Sequence, residues 1–186
     1  MSVIDFPIPV IGFSAYSGTG KTTLLKKVLP LLRDAGLRVT VVKHAHHAFD
    51  PDHPGKDSYE LRKAGADCCV VISRHRVAIM EDFREERPEP QLADALDSVD
   101  STRFDLVVVE GFKHEHFPKI ELCRPALGLP LLFPGDSTVV AIATDAPLNV
   151  PCPLPVLDLN DPAQLADFVL AHIRAPALTS IDNNAT

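Results

Sequence analysis

Residues 15–25 read AYSGTGKTTLL, and what flanks this stretch decides the fold. Upstream, Val10 to Phe13 form a short apolar run; downstream, Leu24, Leu25, Val28, Leu31 and Leu32 recur at helical spacing. The order is strand, glycine turn, helix. Gly18 and Gly20 let the backbone approach an anion closely, and the new helix adds free N–H groups and the positive end of its dipole.

AYSGTGKT fits the phosphate-loop pattern GxxxxGK[ST] except that Ala15 stands at the first glycine. In that pattern Lys21 spans the β- and γ-phosphates and the Thr22 hydroxyl is placed to ligate Mg²⁺. Ser17, Gly18, Thr19, Gly20, Lys21, Thr22 and Thr23 are the candidate nucleotide-binding residues. The competing reading is a turn that only joins a strand to a helix; the strand–loop–helix context weighs against it.

Working outward, Pro30 should bend the first helix and Gly36 end it. LRVTVVKH, residues 37–44, reads as a second strand, completing a βαβ unit. DSYELRKAGA, residues 57–66, reads as a helix with Asp57 and Glu60 at capping-box spacing. CVVISRHRVAIM, residues 69–80, reads as two strands turning around Arg74 and His75. A helix in QLADALDSVD and a buried strand in FDLVVVEGF follow, then strands at KIELC, TVVAIAT and LPVLDL. DPAQLADFVLAHIR, residues 161–174, is the last helix, with Asp161 as N-cap and Pro162 at its first position. The expected fold is α/β and P-loop NTPase-like: a mostly parallel sheet covered by helices on both faces, with an antiparallel hairpin extension. One domain over residues 1–174 and a flexible tail at 175–186 are expected.

Composition narrows the function. A chain of 186 residues with a formal charge of −7 is poorly suited to a sequence-independent grip on nucleic acid, which relies on Lys and Arg. The four cysteines show no CxxC spacing, in keeping with reduced thiols and a cytoplasmic setting. No apolar run approaches the ~20 residues of a membrane span.

In an open α/β sheet ligands sit beyond the carboxyl ends of the strands. Two such ends run into KHAHHAFDPDHPGKDS and EGFKHEH, which hold six of the eight histidines, His44, His46, His47, His53, His114 and His116. Lys43, Lys56 and Lys113 join them in a cationic rim. Asp105 and Glu110 bracket the buried strand ~16 Å apart at ~3.3 Å per residue, so only Glu110 lies at the ligand end. Glu110 is thus the candidate carboxylate for Mg²⁺, with Thr22, and Lys21 and Glu110 are the candidate catalytic groups. Asp105 is expected to be structural. Asp50 and Asp57 are further candidates to position water or metal, Asp57 equally a helix cap.

Together, SGTGKTTLL, KHAHHAFD, PGKDSYELRKAGA and VVVEGFKHE resemble the MobB family, accessory proteins of molybdopterin-guanine dinucleotide biosynthesis. The resemblance implies GTP as the nucleotide, weak GTPase activity, a homodimer, and a guanylyltransferase partner that attaches GMP to molybdopterin. No NKxD sequence is present for guanine; Asp145, ending a predicted strand, is the candidate acceptor for the guanine N–H groups. RPALGLPLLFPGDST matches no motif. Lys43, His44, His46 and Lys113 are read as contacts to phosphate, of the nucleotide or of a bound molybdopterin. A GTP-dependent Ni/Zn chaperone using HAHH is the alternative. A small-molecule kinase is disfavoured, since Arg84 and Arg87 alone do not make an arginine-rich lid.

Overall fold

The computed structural model describes residues 4–45 and 49–175. They fall into two compact units, one running to His44 and resuming at Gln91, the other Ala45–Pro90. The second unit is one contiguous stretch set within the sequence of the first. The expected tail from 176 onward lies outside the described residues.

The first unit is built on a six-stranded sheet. Its strands are β1 (Val10–Ser14), β2 (Val39–Lys43), β5 (Leu106–Glu110), β6 (Lys119–Cys123), β7 (Val139–Thr144) and β8 (Val156–Asp158). The order across the sheet is β2-β5-β1-β6-β7-β8, and every pairing is parallel. The carboxyl ends of all these strands therefore lie along one edge, and the chain departs to opposite sides of β1, where a binding crevice is expected.

Strand parity sorts the core. Ile11 and Phe13 of β1, Leu106 and Val108 of β5, and Ile120 and Leu122 of β6 pack beneath α1 (Lys21–Asp34) and α4 (Pro162–Arg174). Val107 and Val109 face the other way, with Leu92 and Leu96 of α3 (Leu92–Leu96), Phe112 and Phe117. Both faces are covered, as expected for strands read as continuous apolar runs. Gly12 is required on this second face: a Cβ there would lie 2.4 Å from the Phe117 ring.

Helix ends obey local chemistry, with one correction. α1 ends with Gly36 in the left-handed region, where the Leu37 N–H bonds to Leu32 O and the Gly36 N–H to Arg33 O. Pro30 lies inside α1, and Leu31, read from sequence as part of the apolar stripe, is left exposed. Asp161 caps α4, accepting from the N–H groups of Ala163 and Gln164. The capping box expected at Asp57 and Glu60 is not formed: Lys56 is the N-cap, and Glu60 instead accepts from the Gly55 N–H at 3.2 Å. A capping box occurs at Gln91 and Asp94.

The inserted unit holds α2 (Asp57–Lys63) and an antiparallel pair, β3 (Cys68–Ile72) and β4 (Val77–Glu81). Arg62 is its buried node, paired with Asp50 at 2.6 Å and Asp82 at 2.8 Å. Asp50 is thus a structural partner of Arg62; the Asp52 N–H first, and that guanidinium with it, hold its carboxyl below the usual range. In the hairpin, Val70 opposes Ile79 and Ile72 opposes Val77 on one face. All four are exposed, Ile72 by 78% and Ile79 by 67%.

Candidate functional site

The edge on which the parallel strands end carries, in spatial order, Lys43, Glu110, the loop after Ser14, Arg124, Asp145 and Asn160. The loop is shaped from within. Thr19 is buried and its hydroxyl donates to Tyr16 O at 2.9 Å, as does its backbone N–H at 3.3 Å, so this residue holds the bend. Gly18 and Gly20 have φ of 83° and 97°, and a Cβ on Gly18 would meet nothing within 4 Å. Ser17, Thr22 and Thr23 are exposed. Gly20 precedes α1, whose first turn contains no acidic residue to compete with an anion.

Glu110 is the centre of the site's charge. Its carboxylate accepts from the Thr22 hydroxyl at 3.2 Å and lies 3.9 Å from Lys21 Nζ and 3.7 Å from Lys43 Nζ. Lys43 and Glu110 are register partners on adjacent strands. The residues expected at this end of the strand are therefore brought together, and Asp105 is not among them. At the opposite end of β5, Asp105 accepts from the Arg38 backbone and guanidinium, which hold its carboxyl down to about 2.

Mg²⁺ takes hard oxygen ligands and keeps several waters. Thr22 Oγ1 and Glu110 Oε1, oxygen donors side by side at the helix N-terminus, fit that requirement.

The loop after β5 is tightly built. Gly111 has φ of 107° and a Cβ there would meet that of His44 at 2.7 Å; Phe112, at φ 50°, is in the left-handed region. His44 stacks on Phe112 with ring centroids 4.7 Å apart, and its N–H donates to Glu110 O. Lys113 Nζ lies 5.5 Å over the Tyr16 ring of the phosphate loop. The Lys113 carbonyl accepts from buried Lys119 Nζ, which also donates to Asp136 and Thr138. Lys113 is thus held beside the loop, whereas His44 serves at least to pack the Glu110 turn.

His46 and His47 lie outside the described residues. Among the described residues no group of three or more His, Cys, Asp or Glu side chains is arranged to hold a metal, and no helix is long and apolar enough to cross a membrane.

Arg124 was not singled out from sequence. It opens the motif-free RPALG segment, yet its Nε donates to Thr19 O at 2.9 Å and its NH1 pairs with Asp145. Beside it lies a cavity of about 230 Å³ lined by the loop glycines, Thr19, Thr23, Leu24, Lys27, Leu159, Asn160 and Pro162. Asp145 reaches this wall only through Arg124.

Comparison with known proteins bears on the family and the fold. Residues 10–145 match the family model described as MobB, molybdopterin guanine dinucleotide synthesis protein B. The chain is 49% identical, over 88% of its length and 92% of the relative, to the molybdopterin-guanine dinucleotide biosynthesis adapter protein of Escherichia coli. It is 44% identical to the protein of the same name from Haemophilus influenzae, over 87% of this chain and 88% of that one. Among solved structures, a MobB homologue from Bacillus stearothermophilus superposes with a TM-score of 0.65 at 26% identity, covering 90% of this chain and 99% of that one. Bacillus subtilis MobB gives 0.69 at 23% identity, covering 91% and 100%. With the P-loop NTPase-like fold, the ordered loop and the family match in agreement, this chain belongs to the MobB family.

Proposed function

We propose that this protein binds Mg²⁺–GTP and acts as an adapter in molybdenum cofactor guanylation, working with the guanylyltransferase that attaches GMP to molybdopterin. The observation that carries the reading is the convergence of Lys21, Thr22 and Glu110 at the N-terminus of α1, beside a loop whose Gly18 and Gly20 take left-handed backbone. The names of its relatives, adapter proteins of molybdopterin-guanine dinucleotide biosynthesis, support the pathway.

On this reading the amides after Gly18 and the end of α1 take the β-phosphate, and Lys21 leaves Glu110 to bridge the β- and γ-phosphates. Mg²⁺, held by Thr22 and by Glu110 directly or through water, supplies neutralisation of phosphate charge. Lys43 and Lys113 extend the cationic rim toward the terminal phosphate or toward the phosphate of a bound molybdopterin. Hydrolysis, where it occurs, is attack of water on the γ-phosphorus with departure of the β-phosphate oxygen. Lys21 offsets the charge that develops there, and orientation of the water falls to the loop after β2 or to a partner. Slow turnover fits this reading, since P-loop GTPases without an arginine finger can be as slow as ~10⁻⁴ s⁻¹.

Residues 1–174 act as one nucleotide-binding domain carrying the inserted hairpin, in the cytoplasm and as a homodimer. The four exposed aliphatic side chains of the hairpin are a surface that such a dimer contact would cover.

Calorimetry on Lys21→Ala tests the reading. Loss of an ammonium–phosphate contact is worth roughly 1.5–3 kcal/mol, so GTP affinity should fall about ten- to a hundredfold with an unchanged melting temperature. Unchanged affinity would remove the loop as the binding site.

A further inference from the structure

The cavity beside the phosphate loop shares Gly18, Thr19, Gly20 and Thr23 with it. From there it extends along Lys27 to Leu159, Asn160 and Pro162, on the β6–β8 side of β1, whereas Glu110 ends β5 on the other side. A triphosphate anchored at Lys21 has its nucleoside to place, and this cavity adjoins the loop. At about 230 Å³ it suits one flat ring system rather than a whole nucleotide. Leu24, Leu159 and Pro162 offer apolar surface to a ring face, while Lys27, Arg124 and Asn160 are the polar side chains with the greatest reach.

Arg124 is the only one of these three whose orientation is set at both ends. Its Nε bonds to Thr19 O and its NH1 to Asp145, a carboxylate outside the cavity lining. Two of the five guanidinium donors are thereby engaged, and the NH2 side faces Gly20, whose Cβ would lie 3.6 Å from it. A donor-only group of fixed direction discriminates between purines. Guanine and hypoxanthine present O6 and N7, both acceptors, whereas adenine presents N7 beside an N6 amino donor that a guanidinium repels.

Resting on the nucleotide reading above, we infer that Arg124 is the residue that selects a 6-oxopurine, and that Asp145 acts as a positioning residue through it rather than by touching the base. The same arginine braces Thr19, so base recognition and loop shape share one side chain.

The test is calorimetry of the full chain with Mg²⁺ and, in turn, GTP, ITP and ATP. ITP keeps O6 and N7 but lacks the 2-amino group. The wild-type chain should bind GTP and ITP alike, each about tenfold or more tighter than ATP, the scale of one good bidentate base contact. Arg124→Ala should bring the three within about twofold. Arg124→Lys, which retains charge but not the fork, should do the same with a near-normal melting temperature, guarding against a folding defect. Asp145→Ala should narrow the preference, and the double variant should be no worse than Arg124→Ala alone. ITP binding as weakly as ATP would overturn the inference and assign the readout to an acceptor for the 2-amino group. A preference that survives Arg124→Lys and Arg124→Ala, or equal binding of all three by the wild type, would overturn it while leaving the phosphate site intact. Binding of none of the three would instead sink the nucleotide reading itself.

Discussion

Glu110 does two opposed things with one carboxylate. It accepts from Thr22, building an oxygen pair suited to a hard cation, and it holds Lys21 and Lys43 within 4.0 Å, competing with any phosphate for those ammoniums. Replacing it by Gln should separate the effects. Without Mg²⁺, Glu110→Gln should bind GTP a few-fold more tightly than wild type, because Lys21 is released; the gain that Mg²⁺ confers on wild type should be lost. Titrations in EDTA and in Mg²⁺ measure both, and a preserved Mg²⁺ gain would argue against Glu110 as a ligand. Gly12 has little latitude either. Gly12→Ala presses a methyl against Phe117, and overpacking of this kind costs about 1–3 kcal/mol. Chemical denaturation should show that loss, and Phe117→Leu in the same chain should recover part of it.

At the scale of elements, β5 is anchored at its entry by Asp105 and Arg38. The carboxyl sits at about 2, below the ~3.9 of an unfolded aspartate, so folding releases a proton in that window. The contribution is complete above about pH 4, declines as the pH falls and vanishes below about pH 2. Denaturation midpoints of wild type and Asp105→Asn should therefore converge with falling pH, by a modest amount, because Arg38 is 59% exposed and screened by salt. The elements were largely legible in sequence: the glycine loop, the α1 stripe, Asp161 as a cap, and Glu110 against Asp105 by strand length alone. The capping box at Asp57 was not, since capping spacing says nothing of which residue takes the extended conformation; Lys56 does. Arg124 escaped notice for a different reason. Its partner Thr19 is 105 residues away, and only the placement of β6 beside β1 makes them neighbours. Buried Lys119 was invisible likewise, its partners being Asp136 in the motif-free segment and Thr138 at the head of the next predicted strand.

For the whole molecule, the order β2-β5-β1-β6-β7-β8 collects the candidate nucleotide residues on one edge and leaves the hairpin in a separate unit. If the protein is the proposed homodimer and pairs through the exposed face of Val70, Ile72, Val77 and Ile79, Ile72→Asp with Ile79→Asp should yield monomers by sedimentation. GTP affinity should remain within about threefold. A dimer that persists would place the contact elsewhere. The inserted unit also has a practical property: Ala45–Pro90 is one uninterrupted stretch, entered after β2 and left before α3, while β2 and β5 pair directly without it. It is a cassette. Excised and bridged by a short glycine-serine linker, it should leave behind a minimal scaffold that still captures GTP. Exchanged between relatives, it should carry its association preferences with it.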